Sequence, residues 1–218
     1  MSQTVPAPAA AGPDWADQTE QQMLDRALAL APRMGWTWPM VVACGAELGL
    51  SRAEVELLVP HGPADLAALL ARRHDSAVLA ALPDPAALKI RDRIRAAVIA
   101  RLDAAAADAP AVRRWAAWLA LPTHLPQALR LVWASADALW RWAGDTATDE
   151  NHYSKRAILA GILVTALAIR LQSGEAEAAA FVDARIANVM SFEKWKAGLN
   201  HGDLLREVAA ALGKLRYG

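Results

Sequence analysis

The stretch Arg141-Trp-Ala-Gly-Asp-Thr-Ala-Thr-Asp-Glu-Asn-His-Tyr-Ser-Lys-Arg156 runs directly into Ala157-Ile-Leu-Ala-Gly-Ile-Leu-Val-Thr-Ala-Leu-Ala-Ile169, and Arg170 closes it. The first half crowds a Gly, three acids, an Asn, a His, a Tyr and three bases into a few positions. The second half is almost without a polar atom. Thr148 can cap a helix here, Asp149 and Glu150 suit its positive N-terminal end, and Arg170 suits the far end. A helix apolar on every side is expected to be buried in protein. This one is shorter than the roughly 20 apolar residues that span a bilayer, so it reads as a core helix over about 149–172. The polar turn at its head is then held at the surface on a rigid support.

Outward from that stretch everything reads helical. Thr19-x-x-Gln22 resembles a capping box before a first helix, with Met23, Leu24, Ala27, Leu28 and Ala31 at helical spacing. Pro32 and Gly35 close that helix. A short helix through Val41, Val42 and Ala46, the turn Leu48-Gly-Leu50 and another short helix from Ser51 to about Val59 complete a helix-turn-helix pattern. Longer helices follow over about 63–82, 85–106, 110–121 and 126–143. Beyond the core helix come 175–197 and 203–216. No stretch alternates apolar and polar residues over strand length. The predicted class is all-α, about nine to ten helices, in four parts: a tail over 1–17, a helix-turn-helix unit over 18–62, a helical body over 63–199 and an amphipathic terminal helix over 200–218.

Bulk properties narrow the function. The 218 residues are 55% hydrophobic, ample for a core, and carry 23 bases against 23 acids, so no global charge points to nucleic acid. The single Cys, Cys44, excludes an internal disulfide and fits a reducing compartment. The first 25 residues hold no Lys or Arg and no apolar run, which predicts neither a secretory signal nor a basic transit peptide. The expected setting is a bacterial cytoplasm.

The helix-turn-helix ahead of a larger helical body resembles the TetR-type regulators, and a DNA-binding regulator with an apolar ligand pocket is one reading. Charge argues against it. DNA affinity rests on Lys and Arg meeting phosphates, yet between Thr37 and Val59 there are Glu47, Glu54 and Glu56 to one base, Arg52. Two of those acids fall early in the would-be recognition helix, where phosphates and base edges would lie. No metal set is apparent: Asp149-x-x-His152 has a di-iron helix spacing but no second copy. No nucleophile elbow or Gly-rich phosphate loop occurs. Gly45-x-x-x-Gly49 offers small residues for close packing.

Nine of the thirteen aromatics are Trp. Trp133 and Trp140 are seven apart, on one helix face with Leu129, Val132, Ala136 and Ala143. Either this is a core stripe, or Trp and short side chains wall an apolar tunnel, with Ile94, Val98, Leu129, Ile158, Ile162 and Thr165 as further walls. Such a space would suit an isoprenoid or acyl chain. The terminal helix aligns Leu204, Leu205, Val208, Leu212 and Leu215, with Arg206, Lys214 and Arg216 elsewhere. It either packs on protein or lies on a membrane surface. The residues of 145–156 are either a cap with salt links or a recognition surface, Tyr153 being of the type enriched at interfaces.

The central stretch is similar to the motif of the ubiquinone (coenzyme Q) biosynthesis accessory proteins, the ninth member of the coenzyme Q set. It matches at Gly144, Asp145, Thr148, Asp149, Asn151, Tyr153, Lys155, Arg156, Leu159 and Ala160, and Ala31-Pro-x-x-Gly-Trp36 and Leu48-Gly-Leu-Ser51 are also similar. The resemblance covers about 20–218. It implies a TetR-like fold with a vestigial helix-turn-helix, no enzymatic activity, no cofactor, and an isoprenoid lipid or quinone intermediate in the pocket. It also implies a homodimer, association with the inner membrane surface, and docking of a di-iron quinone-pathway hydroxylase on Asp149, Asn151, His152, Tyr153, Lys155 and Arg156. Two positions depart from the pattern: His152 stands where eukaryotic members have Trp, and Ala147 replaces the usual Ser.

Overall fold

A computed structural model describes residues 15–146 and 150–198, with side chains for 15–146 and 152–188. The described residues form nine α-helices: α1 (Trp15–Met34), α2 (Trp38–Glu47), α3 (Arg52–Leu58), α4 (Pro63–Ala81), α5 (Ile90–Ala107), α6 (Ala109–Leu119), α7 (Leu125–Trp142), α8 (Glu150–Gln172) and α9 (Glu175–Gly198). No strand occurs among them, and the arrangement is consistent with a TetR-like bundle. The tail before Trp15 and the amphipathic segment with Leu204, Leu205, Val208, Leu212 and Leu215 lie outside the described residues, as do Thr148 and Asp149.

Local chemistry sets the helix starts. Thr37 caps α2 by accepting from the Met40 amide, and Ser51 forms a reciprocal capping box with Glu54 at α3. Two expectations fail. Thr19 is not a cap: α1 begins at Trp15, and the Thr19 hydroxyl donates to the Trp15 carbonyl at 2.7 Å inside the helix. The stretch from 85 is not one helix either. Asp84 accepts from the Ala86 amide at 2.9 Å and closes a short 3-10 turn over Pro85–Ala87, so α5 begins only at Ile90. A short acidic side chain that bonds its own backbone competes with helix continuation.

The core has two parts. One joins α1–α4 and α6 through Met23, Leu24, Trp36, Met40, Val55, Leu66, Leu70 and Trp115. The other joins α4, α5, α7, α8 and α9 through Val78, Ile94, Val98, Leu139, Leu159, Ile162 and Val182. Helix α4 serves both and is pinned by indole donors: Trp36 Nε1 to the Pro63 carbonyl at 2.7 Å and Trp115 Nε1 to the Ala67 carbonyl at 3.2 Å.

A polar network crosses between α4, α5 and α7. Arg101 donates to Asp75 at 2.6 Å, and Ser135 donates to the same carboxylate at 2.8 Å. His74, 3% exposed, lies 3.3 Å from Arg101 Nη1 and 3.2 Å from Asp108. Burial, and then the Arg101 charge, push the His74 pKa below its usual value and outweigh Asp108 and Asp75. Since the folded value is the lower one, neutral His74 contributes stability above the unfolded pKa of about 6.5, and that stability is lost as pH falls below it. We expect the urea midpoint to fall between pH 8 and pH 5, with a slope of at most about 1.4 kcal/mol per pH unit from this group. His74→Gln should abolish that component; an unchanged pH profile would refute it.

The all-round apolar helix is not buried all round. α8 buries Leu159, Ile162, Leu163 and Ala166, while Ala157, Ile158, Gly161, Val164, Thr165 and Ala168 are exposed. Its neighbours α5, α7 and α9 cover one side only.

Candidate functional site

The α7–α8 junction is built on a glycine. Gly144, at φ +90°, follows the last turn of α7, and its amide donates to the Arg141 carbonyl at 3.0 Å. The Asp145 amide donates to the Trp140 carbonyl at 3.0 Å, which completes a Schellman closure. Arg93 on α5 also seals the end, with Nη1 donating to the Ala143 carbonyl at 2.8 Å and Nε to the Leu88 carbonyl at 2.8 Å. A Cβ at Gly144 would lie 3.3 Å from that Nη1.

Chain reversal at Gly144 aims Asp145 at α8. Its carboxylate, 6% exposed, accepts from Lys155 Nζ at 2.7 Å and from Arg156 Nη1 at 3.0 Å. Burial would raise the Asp145 pKa, and the two basic donors more than offset this, so it lies below the usual carboxylate value. Arg156 is 1% exposed; its Nε donates to Asp137 and its Nη1 also reaches the His152 carbonyl at 3.1 Å. Asp137 in turn pairs with Arg141 at 2.8 Å. Trp140 Nε1 donates to the Lys155 carbonyl at 3.1 Å, and Lys155 Nζ sits 5.4 Å from the centre of the same indole.

Beside this lattice a cavity of about 510 Å³ opens between α5, α7, α8 and α9. Its apolar wall is Ile90, Ile94, Trp140, Ile158, Leu159, Ile162 and Ile186; Arg91, Arg93, Asp145, Ser154 and Lys155 supply the polar part.

The residues expected from sequence divide accordingly. Ile94, Trp140, Ile158 and Ile162 line the cavity. Val98 is fully buried in the core behind it and does not line it. Leu129 and Thr165 are exposed and away from it. Trp133 does not line it either; its ring packs against Tyr153 at 6.2 Å between centroids. Seven-residue spacing kept both tryptophans towards α8, but only the one nearer the α7 terminus meets the gap that the chain reversal leaves. Of the proposed docking residues, Tyr153 is 64% exposed and His152 packs edge-on to it at 5.1 Å. Lys155 is half-exposed and tied to Asp145. Arg156 is a correction: it is buried and faces inward, because two acids and a carbonyl claim its donors. The Asn151 side chain and Asp149 lie outside what is described. Asp137, Arg91, Arg93 and Ile186 were missed. Only the Asp137–Arg141 spacing of four residues marked an ion pair in the sequence.

Elsewhere the chemistry is quiet. Burial, then the charge of Glu47, pushes the Cys44 thiol up to about 12, so it is no nucleophile. Among the described residues no group of three or more His, Cys, Asp or Glu is placed to hold a metal ion. No described helix is long and apolar enough to cross a membrane. On α3, Arg52 is tied to Glu56 at 2.8 Å and Glu54 is committed to the cap.

A family model described as COQ9 matches residues 125–193, which is α7, α8 and most of α9. Ubiquinone biosynthesis protein COQ9-A, mitochondrial, of Xenopus laevis is 26% identical over 212 residues, covering 89% of this chain and 62% of the relative. Ubiquinone biosynthesis protein COQ9, mitochondrial, of Bos taurus is 29% identical over 189 residues, 80% of this chain and 58% of the relative. The Homo sapiens protein of the same name is 29% identical over 167 residues, 72% of this chain and 52% of the relative. The chain thus spans less than two thirds of the length of these relatives. The matched segment carries the Gly144 reversal, both aspartates, Arg156 and most of the cavity wall, and it is over these residues that the chain is similar to the COQ9 family.

Proposed function

We propose that this protein is a non-catalytic, lipid-binding accessory factor of ubiquinone biosynthesis. It holds an isoprenoid quinone precursor in the α5–α7–α8–α9 cavity and presents it, at the inner membrane surface of a bacterium, to a di-iron hydroxylase. The observation that carries this reading is the cavity itself, about 510 Å³ with a wall of five isoleucines, a leucine and an indole. Its size falls within the roughly 300–1,000 Å³ of small-molecule sites. Burying one five-carbon isoprene unit gains about 4 kcal/mol at about 0.8 kcal/mol per carbon, enough to draw such a chain out of water. The exposed apolar face of α8 supports pairing of two copies, and Tyr153 with His152 supports a docking surface for the hydroxylase.

Native mass spectrometry of the purified protein should show co-purifying lipid, and Ile158→Asp, at a half-exposed lining position, should remove it without unfolding. A lipid-free protein that also takes up nothing from quinone-loaded liposomes would end the reading. Tyr153→Ala should weaken hydroxylase binding with a melting temperature shift of no more than about 3 °C, as for an exposed side chain worth under about 1 kcal/mol. Deleting residues 203–218 should abolish co-sedimentation with liposomes, and unchanged sedimentation would remove the membrane role.

A further inference from the structure

The polar end of the cavity has a sign. Its lining includes three bases, Arg91, Arg93 and Lys155, and one acid, Asp145. Lys155 and Asp145 satisfy each other at 2.7 Å. Neither arginine has an ion-pair partner among the described residues. Arg93 spends Nε and Nη1 on carbonyls of Leu88 and Ala143, which fixes its guanidinium at the rim without neutralising it. Asp183 on α9 lies close enough for Arg91 to act on its ionisation, but its oxygens are taken by Arg95 at 2.6 and 3.0 Å. The first turn of α5 is at the same rim, since Ile90 and Arg91 line it, and Lys89 offers no side-chain cap to those amides. Asp92, the acid of that turn, is exposed and does not line the cavity. Two guanidiniums with no ion-pair partner among the described residues, at the mouth of an apolar cavity, are poorly matched to a ligand that is neutral throughout.

We propose that the cavity selects an amphiphile with an anionic head, a carboxylate or a phosphate monoester. The head lies at Arg91 and Arg93, and the chain lies along Ile94, Trp140, Ile158 and Ile162. This rests on the lipid-binding reading and adds the head-group class to it. With Nε and Nη1 of Arg93 held by carbonyls, the plane of the guanidinium is fixed and its Nη2, which has no partner among the described residues, is oriented for an oxyanion.

Three probes of one chain length separate the two ideas: farnesol, farnesoic acid and farnesyl monophosphate, titrated calorimetrically into the full chain at pH 7.5. The two anions should bind at least about tenfold tighter than the alcohol, the factor one charge-assisted contact supplies. That ratio should shrink between about 20 mM and 300 mM salt as screening grows. Arg91→Gln should lower anion affinity and leave farnesol unchanged; because Arg91 is exposed and seals no helix end, this variant keeps the fold. Arg93→Lys, retaining charge without the fork, should lower it less than Arg93→Gln. Preference for one anion over the other identifies the head, and tight binding of either supports the proposal. Equal affinities for all three probes, or anion binding indifferent to Arg91→Gln, would overturn the anionic preference and leave lipid binding intact. If no probe binds, the lipid reading itself fails.

Discussion

Arg156→Ala should be the most damaging single change at the α7–α8 junction, costing about 3–5 kcal/mol of stability. The guanidinium is 1% exposed and makes three contacts, to Asp137, to Asp145 and to the His152 carbonyl. Truncation removes them all at once. Asp145, 6% exposed, keeps Lys155, but Asp137 is left with Arg141, whose side chain is 72% exposed and whose charge water screens. For a chain of this size the loss corresponds to roughly 6–20 °C in melting temperature. Arg156→Lys should recover only part of it, because one ammonium cannot reproduce a fork that divides Nε and Nη1 between two carboxylates. A double-mutant cycle with Asp137→Ala isolates the pairwise term, which should exceed about 1 kcal/mol. Denaturant midpoints for Arg156→Ala within about 1 kcal/mol of the parent would mean that the pair is idle. Acid supplies a second check. Asp145 has a folded pKa below its unfolded value of 3.8, so its contribution is present above that pH and is lost as pH falls through the folded value. In Arg156→Ala the stability lost below about pH 4 should be smaller than in the parent.

This lattice also shows what the sequence could and could not disclose. Helix existence was readable from apolar spacing and from breaks such as Gly35 and the turn Leu48-Gly-Leu50, all local signals. Gly144 was readable as punctuation, but its role depends on Asp145 swinging towards α8, which follows from where α8 packs. Arg156 carries no local mark of burial. It precedes an apolar run and reads as a helix-start charge, and only the arrival of Asp137 from α7 and of Asp145 from the Gly144 reversal makes its burial tolerable. The cavity was half legible for the same reason. Trp140 came from its spacing and Ile94, Ile158 and Ile162 were expected as walls beside it, while Leu129 and Thr165 share a helix face with true lining residues but lie too far along the axis. Arg91 and Arg93 were invisible because charged residues at a helix start usually face solvent. The outer face of α8 misled for the opposite reason: an apolar run states a preference for burial and cannot say which partner provides it.

Gly45→Ala should destabilise the N-terminal unit even though alanine is the better helix former by about 1 kcal/mol. A Cβ built on Gly45 in α2 would lie 2.1 Å from Cγ2 of Val55 and 3.5 Å from its Cβ. Val55 is 1% exposed in the core and, being β-branched, cannot rotate aside cheaply. Relief therefore requires α3 to move bodily away from α2. Val55 is the one buried residue of that seven-residue helix, so movement surrenders its main anchor. The clash outweighs the propensity gain, and the net cost should be about 1–3 kcal/mol, the range for overpacking a closed core. Amide exchange should speed up first in α3, since its only deep contact is the one displaced. The decisive control is Val55→Ala. In that background the added methyl has room, and Gly45→Ala should become neutral or stabilising by up to about 1 kcal/mol. The same sign in both backgrounds would show that the two helices do not meet at this point. A reversal of sign would establish that Gly45 holds α2 and α3 together as a packing wedge, in a helix-turn-helix whose single base, Arg52, is already committed to Glu56.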